Sequence, residues 1–118
     1  MPVAKTVMSY LQSHQIPYAV VPHRRTLSSR ETADAAHIAA ECVAKAVIFW
    51  DRQGYLMAVV PGDRHVGVDS LSDKLGRHLV LADESRIAPV FKDCELGAIP
   101  PLGPAYDLTQ RKISRWLF

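Results

Sequence analysis

The sequence predicts an α+β fold: one compact domain in which helices surround a mixed or antiparallel central sheet. Three observations support this prediction. Residues 3–13 carry apolar side chains at helical spacing, residues 43–50 and 55–60 are apolar runs on either side of a turn, and helical and strand-like segments alternate along the rest of the chain. A chain of 118 residues is long enough to bury one hydrophobic core, so a single domain is expected.

The first third of the chain is predicted to contain two helices and a short strand. Tyr18–Val21 is a β-rich run with a proline on either side. Ser28 and Glu31 have the spacing of a capping box, which would open a second helix through the alanines up to Ala40. The first helix is predicted from four apolar residues at helical spacing: Val3, Val7, Tyr10 and Leu11.

The middle of the chain predicts a β-hairpin. Val43–Trp50 is apolar except for Lys45, as expected of a buried strand, and Tyr55–Val60 is a second apolar run. The turn-forming residues 51–54 join the two runs, and so short a connection makes the strands antiparallel neighbours.

Short elements are predicted after the hairpin. Asp69–Leu75 has the pattern of a helix that a glycine closes, and Leu79–Leu81 that of a strand. Asp83 or Ser85 is positioned to cap a further helix that would run through Phe91.

Composition excludes several classes of protein. Apolar residues make up 48% of the chain, so it is not a disordered protein. Cys42 and Cys94 have no second cysteine or histidine at ligand spacing, which argues against a zinc site and a disulfide framework. The first residues lack the features of a signal peptide and no apolar run is long enough to span a bilayer, so a cytoplasmic protein without membrane contact is expected.

Charge does not identify a nucleic-acid binder, because the formal net charge is only +2. One local group of basic residues would either meet phosphates or form a solvated loop. Its members are His23, Arg24, Arg25 and Arg30.

The stretch Gly97–Gly103 combines two glycines with Pro100 and Pro101. Prolines restrict the backbone, and glycines allow another molecule to approach it closely. A rigid row of free backbone donors would suit an oxyanion, a carboxylate or a phosphate. A structural turn is the other interpretation, which these seven residues by themselves favour. The available N–H groups are those of Gly97, Ala98, Ile99, Leu102 and Gly103.

Lys45 is the only charged residue in its apolar strand. An unpaired charge in a core is costly, so its ammonium must reach a cleft, a partner or the surface. Two interpretations fit this pattern equally well. Lys45 either lies on an edge strand, with its stem on apolar neighbours and its ammonium in water, or reaches into a substrate pocket.

Four segments in this order resemble the YbaK/prolyl-tRNA synthetase editing-domain family of free-standing aminoacyl-tRNA deacylases. The segments are Tyr18–His23, Ser28–Ala33, Val43–Val47 and Gly97–Gly103. The strand around Lys45 and the glycine–proline loop are the specific parts of the resemblance, which covers most of the chain.

The resemblance implies a trans-editing hydrolase that releases a small amino acid from a mischarged tRNA, with tRNA for proline as the expected carrier. In that family the lysine at the position of Lys45 lies in the substrate pocket and is needed for activity. The N–H groups of Gly97, Ala98 and Ile99 would form the oxyanion site, with Lys45 holding the terminal phosphate or ribose or polarising the ester carbonyl. No metal or other cofactor is implied, and the expected partners are the acceptor 3′ end of tRNA and a prolyl-tRNA synthetase.

Four further residues are predicted to bind substrate: Tyr18, His23, Pro101 and Gly103. Tyr18 matches a position beside the pocket, where its ring would stack on the terminal adenine, although a core tyrosine fits equally well. His23 either acts as an acid or base or is simply exposed. Ser28 and Ser29 are better explained as a helix cap than as nucleophiles, and the acidic neighbours of Cys94 make its thiol a poor nucleophile.

The C-terminal residues depart from the family pattern. Residues 1–109 are expected to form the editing-like domain and residues 110–118 an atypical tail, because family members continue well beyond the loop. Ile113, Trp116 and Leu117 give the tail an apolar stripe, and a homodimer through the tail or an open sheet edge is a hypothesis. A non-catalytic module that binds an acceptor end or a partner protein is therefore the alternative function.

Overall fold

A long β-hairpin forms the centre of the molecule. In the computed structural model, which describes residues 3–24, 26, 28–94 and 98–112, strand β1 (Ala44–Asp51) pairs with strand β2 (Gly54–Pro61) along its whole length. The register joins Lys45 to Val60 and Phe49 to Leu56. The predicted hairpin is confirmed, including its turn after Asp51.

Two shorter strands complete a sheet of order β3-β1-β2-β4 within the described residues. Strand β3 (Val80–Leu81) is antiparallel to β1, and strand β4 (Thr109–Lys112) is parallel to β2. The mixed sheet of an α+β domain is thus confirmed. Strand β4 was not predicted: three residues assigned to the atypical tail cover the outer edge of β2, while residues 113–118 lie outside the described part of the chain.

Alternate side chains of the hairpin pack on opposite faces of the sheet, as the period of a strand requires. The first face carries Phe49 and Leu56, which pack with Leu71 and Leu79. The second face carries Ile48 and Met57, which pack with Ala82 and Phe91. Both faces are covered, so the hairpin is the common wall of two hydrophobic clusters.

Four helices are present in the described residues: α1 (Lys5–Ser13), α2 (Ser29–Ala36), α3 (Val68–Leu75) and α4 (Glu84–Ile87). The cap of α2 is as predicted, because the Ser28 hydroxyl accepts the N–H of Glu31 at 3.1 Å. Helix α3 ends at Gly76, whose left-handed φ of 64° suits a residue without a Cβ.

Two predicted helices end earlier than expected. Helix α2 stops at Ala36 rather than Ala40, because His37 takes a left-handed conformation and its N–H bonds to the carbonyls of the last turn. Helix α4 begins after its cap Asp83 but stops at Ile87 instead of Phe91. Both predictions were too long because they relied on helix propensity: alanines and other apolar residues continue in the sequence beyond the residues at which the two helices end.

The predicted strand at Tyr18–Val21 does not form. Residues 15–24 belong to no helix or strand, and Tyr18, Val20 and Val21 are 45%, 61% and 57% exposed. A β-rich run becomes a strand only where another backbone lies beside it to pair with, and here this run has no strand partner among the described residues.

An ion pair ties the hairpin turn to the end of α3. The Arg77 guanidinium donates to both carboxylate oxygens of Asp51, at 2.7 and 2.5 Å, and to the carbonyl of Gly54 at 3.2 Å. The pair lowers the pKa of Asp51 to about 2, chiefly through the hydrogen bond from Arg77. Paired forks of this kind are the stronger class of ion pair.

Candidate functional site

Lys45 projects from the start of β1 on the first face of the sheet, the face that also carries Val47 and Phe49. The side chain is partly buried, and its ammonium donates to the backbone carbonyl of Arg64. Burial lowers the pKa of Lys45, and the negative charge of Asp63 opposes that effect. Lys45 therefore meets a protein partner rather than extending freely into water.

The partner of Lys45 is the turn that follows β2. Its backbone is held at two points: Arg64 N–H donates to the Pro61 carbonyl at 3.0 Å, and Gly62 N–H donates to the Val43 carbonyl at 2.7 Å. Asp63 lies inside this turn, and its Oδ1 is buried without a hydrogen-bond partner among the described residues. Sequence reasoning missed Asp63, although its place directly after the strand that pairs with β1 would bring it near the start of β1.

The glycine–proline loop uses two of its five predicted donors internally. Leu102 N–H donates to the Pro100 carbonyl at 2.8 Å, and Gly103 N–H donates to Oε1 of Gln110 at 2.6 Å. These two donors, predicted to be free, are occupied because the loop folds back on itself and on β4. Gly97 lies outside the described residues.

The N–H groups of Ala98 and Ile99 make no hydrogen bond within the described part of the chain. Ala98 is exposed, while the Ile99 side chain packs into the second-face cluster. An anchored side chain beside two consecutive free donors gives the loop a fixed edge that an anionic oxygen can approach.

Gly103 is needed for close packing. It is buried, and a Cβ added there would lie 3.3 Å from both the Leu108 carbonyl and the side-chain oxygen of Gln110. Gln110 was missed by sequence reasoning, and no local signal identifies it, because its contact depends on β4 lying parallel to β2.

A hydrogen-bonded group joins the two ends of the loop region. The Tyr106 hydroxyl donates to Asp93 at 2.8 Å and lies 3.2 Å from the Cys94 sulfur, while Asp93 also accepts the N–H of Thr6 at 2.8 Å. The bonds from Thr6 and Tyr106 lower the pKa of Asp93 to about 2, and burial raises the pKa of Tyr106. Burial, and then the Asp93 charge, raises the pKa of Cys94, in keeping with its predicted weakness as a nucleophile.

Tyr18 and His23 lie in the irregular segment between α1 and α2. Tyr18 is exposed, and His23 Nδ1 lies 2.6 Å from the Arg24 carbonyl. Because a carbonyl only accepts, Nδ1 is the donor in this contact. Arg24 and Arg30 of the basic group are exposed, Arg25 lies outside the described residues, and Pro101 is partly buried.

Lys45 and the loop donors are not brought together. Lys45 belongs to the first face, and Ile99 packs on the second. A cavity of about 270 Å³ at the Pro61 end of the hairpin borders Ala44, the neighbour of Lys45, and Gln110, the side chain that binds Gly103. Neither Lys45 nor the loop residues Ala98 and Ile99 line this cavity.

Within the described ranges, no three His, Cys, Asp or Glu side chains gather in a way that would hold a metal ion. The same ranges contain no helix with the length and apolarity needed to cross a bilayer.

Solved structures of similar fold include the hypothetical protein APE2540 (TM-score 0.76, 18% identity, 92% of this chain and 71% of that chain). A scaffold protein from the computational grafting of linear epitopes is also similar (TM-score 0.75, 17% identity, 95% of this chain and 70% of that chain). A candidate trans-editing enzyme for prolyl-tRNA synthetase has the same fold (TM-score 0.73, 20% identity, 87% of this chain and 66% of that chain). At these identities the likeness shows a shared fold alone, and no curated protein matches this chain in sequence.

The sequence profile of the aminoacyl-tRNA editing domain matches residues 22–111, which is most of the chain. The match contains Lys45, the turn around Asp63 and the whole glycine–proline loop. It confirms the resemblance inferred from the sequence, and the chain belongs to the aminoacyl-tRNA editing domain family.

Proposed function

We propose that this protein is an aminoacyl-tRNA deacylase, which hydrolyses the ester between an amino acid and the 3′-terminal ribose of a mischarged tRNA. The observation that carries this proposal is the pair of N–H groups at Ala98 and Ile99, which have no acceptor among the described residues, in a chain of the editing-domain family. Two adjacent backbone donors of this kind suit the oxyanion that forms during ester hydrolysis.

The reaction needs little from the protein beyond orientation and charge stabilisation. Water adds to the ester carbonyl, and the carbonyl oxygen becomes an oxyanion that the N–H groups of Ala98 and Ile99 bind. The intermediate then breaks the bond to the ribose oxygen, which leaves with a proton as the hydroxyl of the free tRNA. An aminoacyl ester is already activated, so no protein nucleophile is required, and the raised pKa of Cys94 gives the thiol no advantage in that role.

Lys45 is proposed to hold the terminal phosphate or ribose of the tRNA. Its position on the opposite face from Ile99 supports this role over polarisation of the ester carbonyl. Its ammonium already donates to the Arg64 carbonyl, so an anionic oxygen of the substrate would replace a neutral acceptor with a charged one.

The proposed substrate is a small amino acid on tRNA for proline, with a prolyl-tRNA synthetase as the partner. The structural similarity to a candidate trans-editing enzyme for that synthetase supports this choice. Tyr18 is proposed to stack on the terminal adenine, with His23 and Pro101 beside it, and Gly103 to shape the loop.

The test is release of labelled amino acid from a panel of mischarged tRNAs. Ile99→Pro removes one proposed oxyanion donor, and we expect kcat to fall by roughly a hundredfold to a thousandfold. Ile99→Val keeps the N–H and serves as the matched control. Lys45→Ala is expected to raise KM by roughly tenfold to a hundredfold, the scale of a hydrogen bond to a charged group, with a smaller change in kcat.

A non-catalytic module that binds the acceptor end is the second candidate, and the separation of Lys45 from Ile99 on opposite faces favours it. Tight binding of tRNA without turnover of any acylated substrate would establish this function instead. A loss of kcat rather than of affinity in Lys45→Ala would place the lysine at the carbonyl and contradict the role proposed for it.

A further inference from the structure

The turn after β2 presents two acceptors near the ammonium of Lys45. One is the Arg64 carbonyl, which accepts a hydrogen bond from it, and the other is the carboxylate of the preceding residue, Asp63. The turn is pinned to the start of β1 by the bond from Gly62 to Val43, so its position relative to Lys45 is set by the backbone.

Asp63 is the feature of this turn that needs an explanation. Its Oδ1 is buried and makes no hydrogen bond within the described residues, a costly state for a carboxylate oxygen unless an opposite charge compensates. Lys45 is a positive charge that interacts with this carboxylate. The other polar side chains of the turn, Arg64 and His65, are exposed, and β2 contributes the apolar Val60 opposite Lys45.

We infer that Asp63 is a positioning residue, which holds the ammonium of Lys45 against the turn after β2 and favours its charged form. Its part in deacylation rests on the proposed function, whereas the electrostatic interaction between Asp63 and Lys45 does not. A charged ammonium is what an anionic group of the tRNA end requires, and a neutral amine would bind it poorly.

The sign of the effect follows from the two influences on Lys45. Burial favours the neutral amine and lowers the pKa of Lys45, while the Asp63 charge favours the ammonium and opposes that change. Asp63→Asn removes only the opposing influence, so Lys45 would lose its proton at a lower pH than in the wild type. A 3₁₀ turn, Ala40–Cys42, precedes β1; its ionisable groups, Glu41 and Cys42, are exposed and are left unchanged in this test.

The experiment is a pH titration of the lysine ε-carbons by NMR in the full chain labelled with ¹³C-lysine. The chain has five lysines, and Lys45→Arg assigns the signal of interest by its loss. We expect the midpoint of Lys45 to fall in Asp63→Asn and to return towards the wild-type value in Asp63→Glu. Asp69→Asn, an exposed charge in the first turn of α3, is the matched control and should leave it unchanged.

The kinetic arm measures KM for the acylated tRNA against pH. The rise in KM at alkaline pH should begin at a lower pH in Asp63→Asn than in the wild type, with kcat changed little. If Asp63→Asn does not fold, Asp63→Ser removes the same charge and carries the test. An unchanged Lys45 midpoint in a folded charge-removing variant overturns the inference; absence of deacylation with a shifted midpoint overturns only the proposed function.

Discussion

The two faces of the sheet are covered in different ways. On the first face, α3 follows β2 through a short turn and places Leu71 against Phe49 and Leu56. On the second face, the described cover consists of helix α4 and mostly irregular chain in residues 82–94 and 98–108, and side-chain hydrogen bonds at Tyr106 and Gln110 hold it.

This difference separates two kinds of site. The regular face positions a charged side chain, Lys45, because a strand and a pinned turn fix its direction. On the second face, the N–H groups of Ala98 and Ile99 have no acceptor among the described residues, whereas a helix or a strand ladder would have used them. The proposed binding of a phosphate by Lys45 and of an oxyanion by the loop would use one cover of each kind.

The largest expected difference between the faces is in how much stability is lost when a buried phenylalanine is replaced by alanine. Phe49 and Phe91 are 1% and 2% exposed, one on each face. We expect Phe49→Ala to lower the free energy of unfolding by about 3–5 kcal/mol and Phe91→Ala by about 2–3 kcal/mol, because irregular chain can move into the space. Urea unfolding of both variants measures this, and equal losses would mean that the second face is packed as rigidly as the first.

A smaller effect is expected on the free energy of unfolding at acidic pH, to which one carboxylate near each face contributes. Asp51 and Asp93 both have a pKa of about 2, below the ordinary 3.8, so each stabilises the fold above about pH 4 and that contribution is lost as pH falls towards 2. Arg77→Ala removes the main cause of the low pKa of Asp51. We therefore expect the free energy of unfolding of this variant to rise less between pH 2 and pH 4 than that of the wild type.

Urea midpoints across that pH range provide the measurement, and Arg52→Ala, an exposed arginine in the same hairpin turn, is the control. Tyr106→Phe should flatten the pH dependence much less, because Asp93 keeps the backbone N–H of Thr6, the main cause of its low pKa. A pH profile that Arg77→Ala leaves unchanged would contradict the role given to the ion pair.

The smallest expected effect concerns the hydrogen bonds that hold the loop on the second face. Tyr106→Phe removes the hydroxyl that bonds to Asp93 and contacts Cys94, and we expect a loss of about 1 kcal/mol in stability. It should also speed amide hydrogen exchange at Gly103 and Leu108, whose bonds hold the loop. Tyr55→Phe is the matched control, since the Tyr55 side chain packs on the same cluster but its hydroxyl bonds to the Arg86 carbonyl at 3.4 Å rather than to Asp93 or Cys94. Equal exchange rates in the two variants would show that Tyr106 does not support the loop.

Local signals predicted much of the fold. The apolar runs around Asp51 gave the hairpin, Ser28 with Glu31 gave the start of α2, and Gly76 gave the end of α3, because each depends on backbone groups only a few residues apart. The stop of α2 at His37 and the absence of a strand at Tyr18–Val21 were not predictable, since both depend on where the chain goes next.

The candidate site divides in the same way. From the sequence alone came the unusual charge of Lys45, the density of glycine and proline around Ile99, and the family resemblance that gives them meaning. Only the tertiary structure decided that Lys45 meets the turn at Asp63, that Gln110 occupies the Gly103 donor, and that the two parts lie on opposite faces. The physical reason is sequence separation. Residue spacing reports on interactions between residues a few positions apart, whereas these contacts depend on strand pairing between segments far apart in the chain.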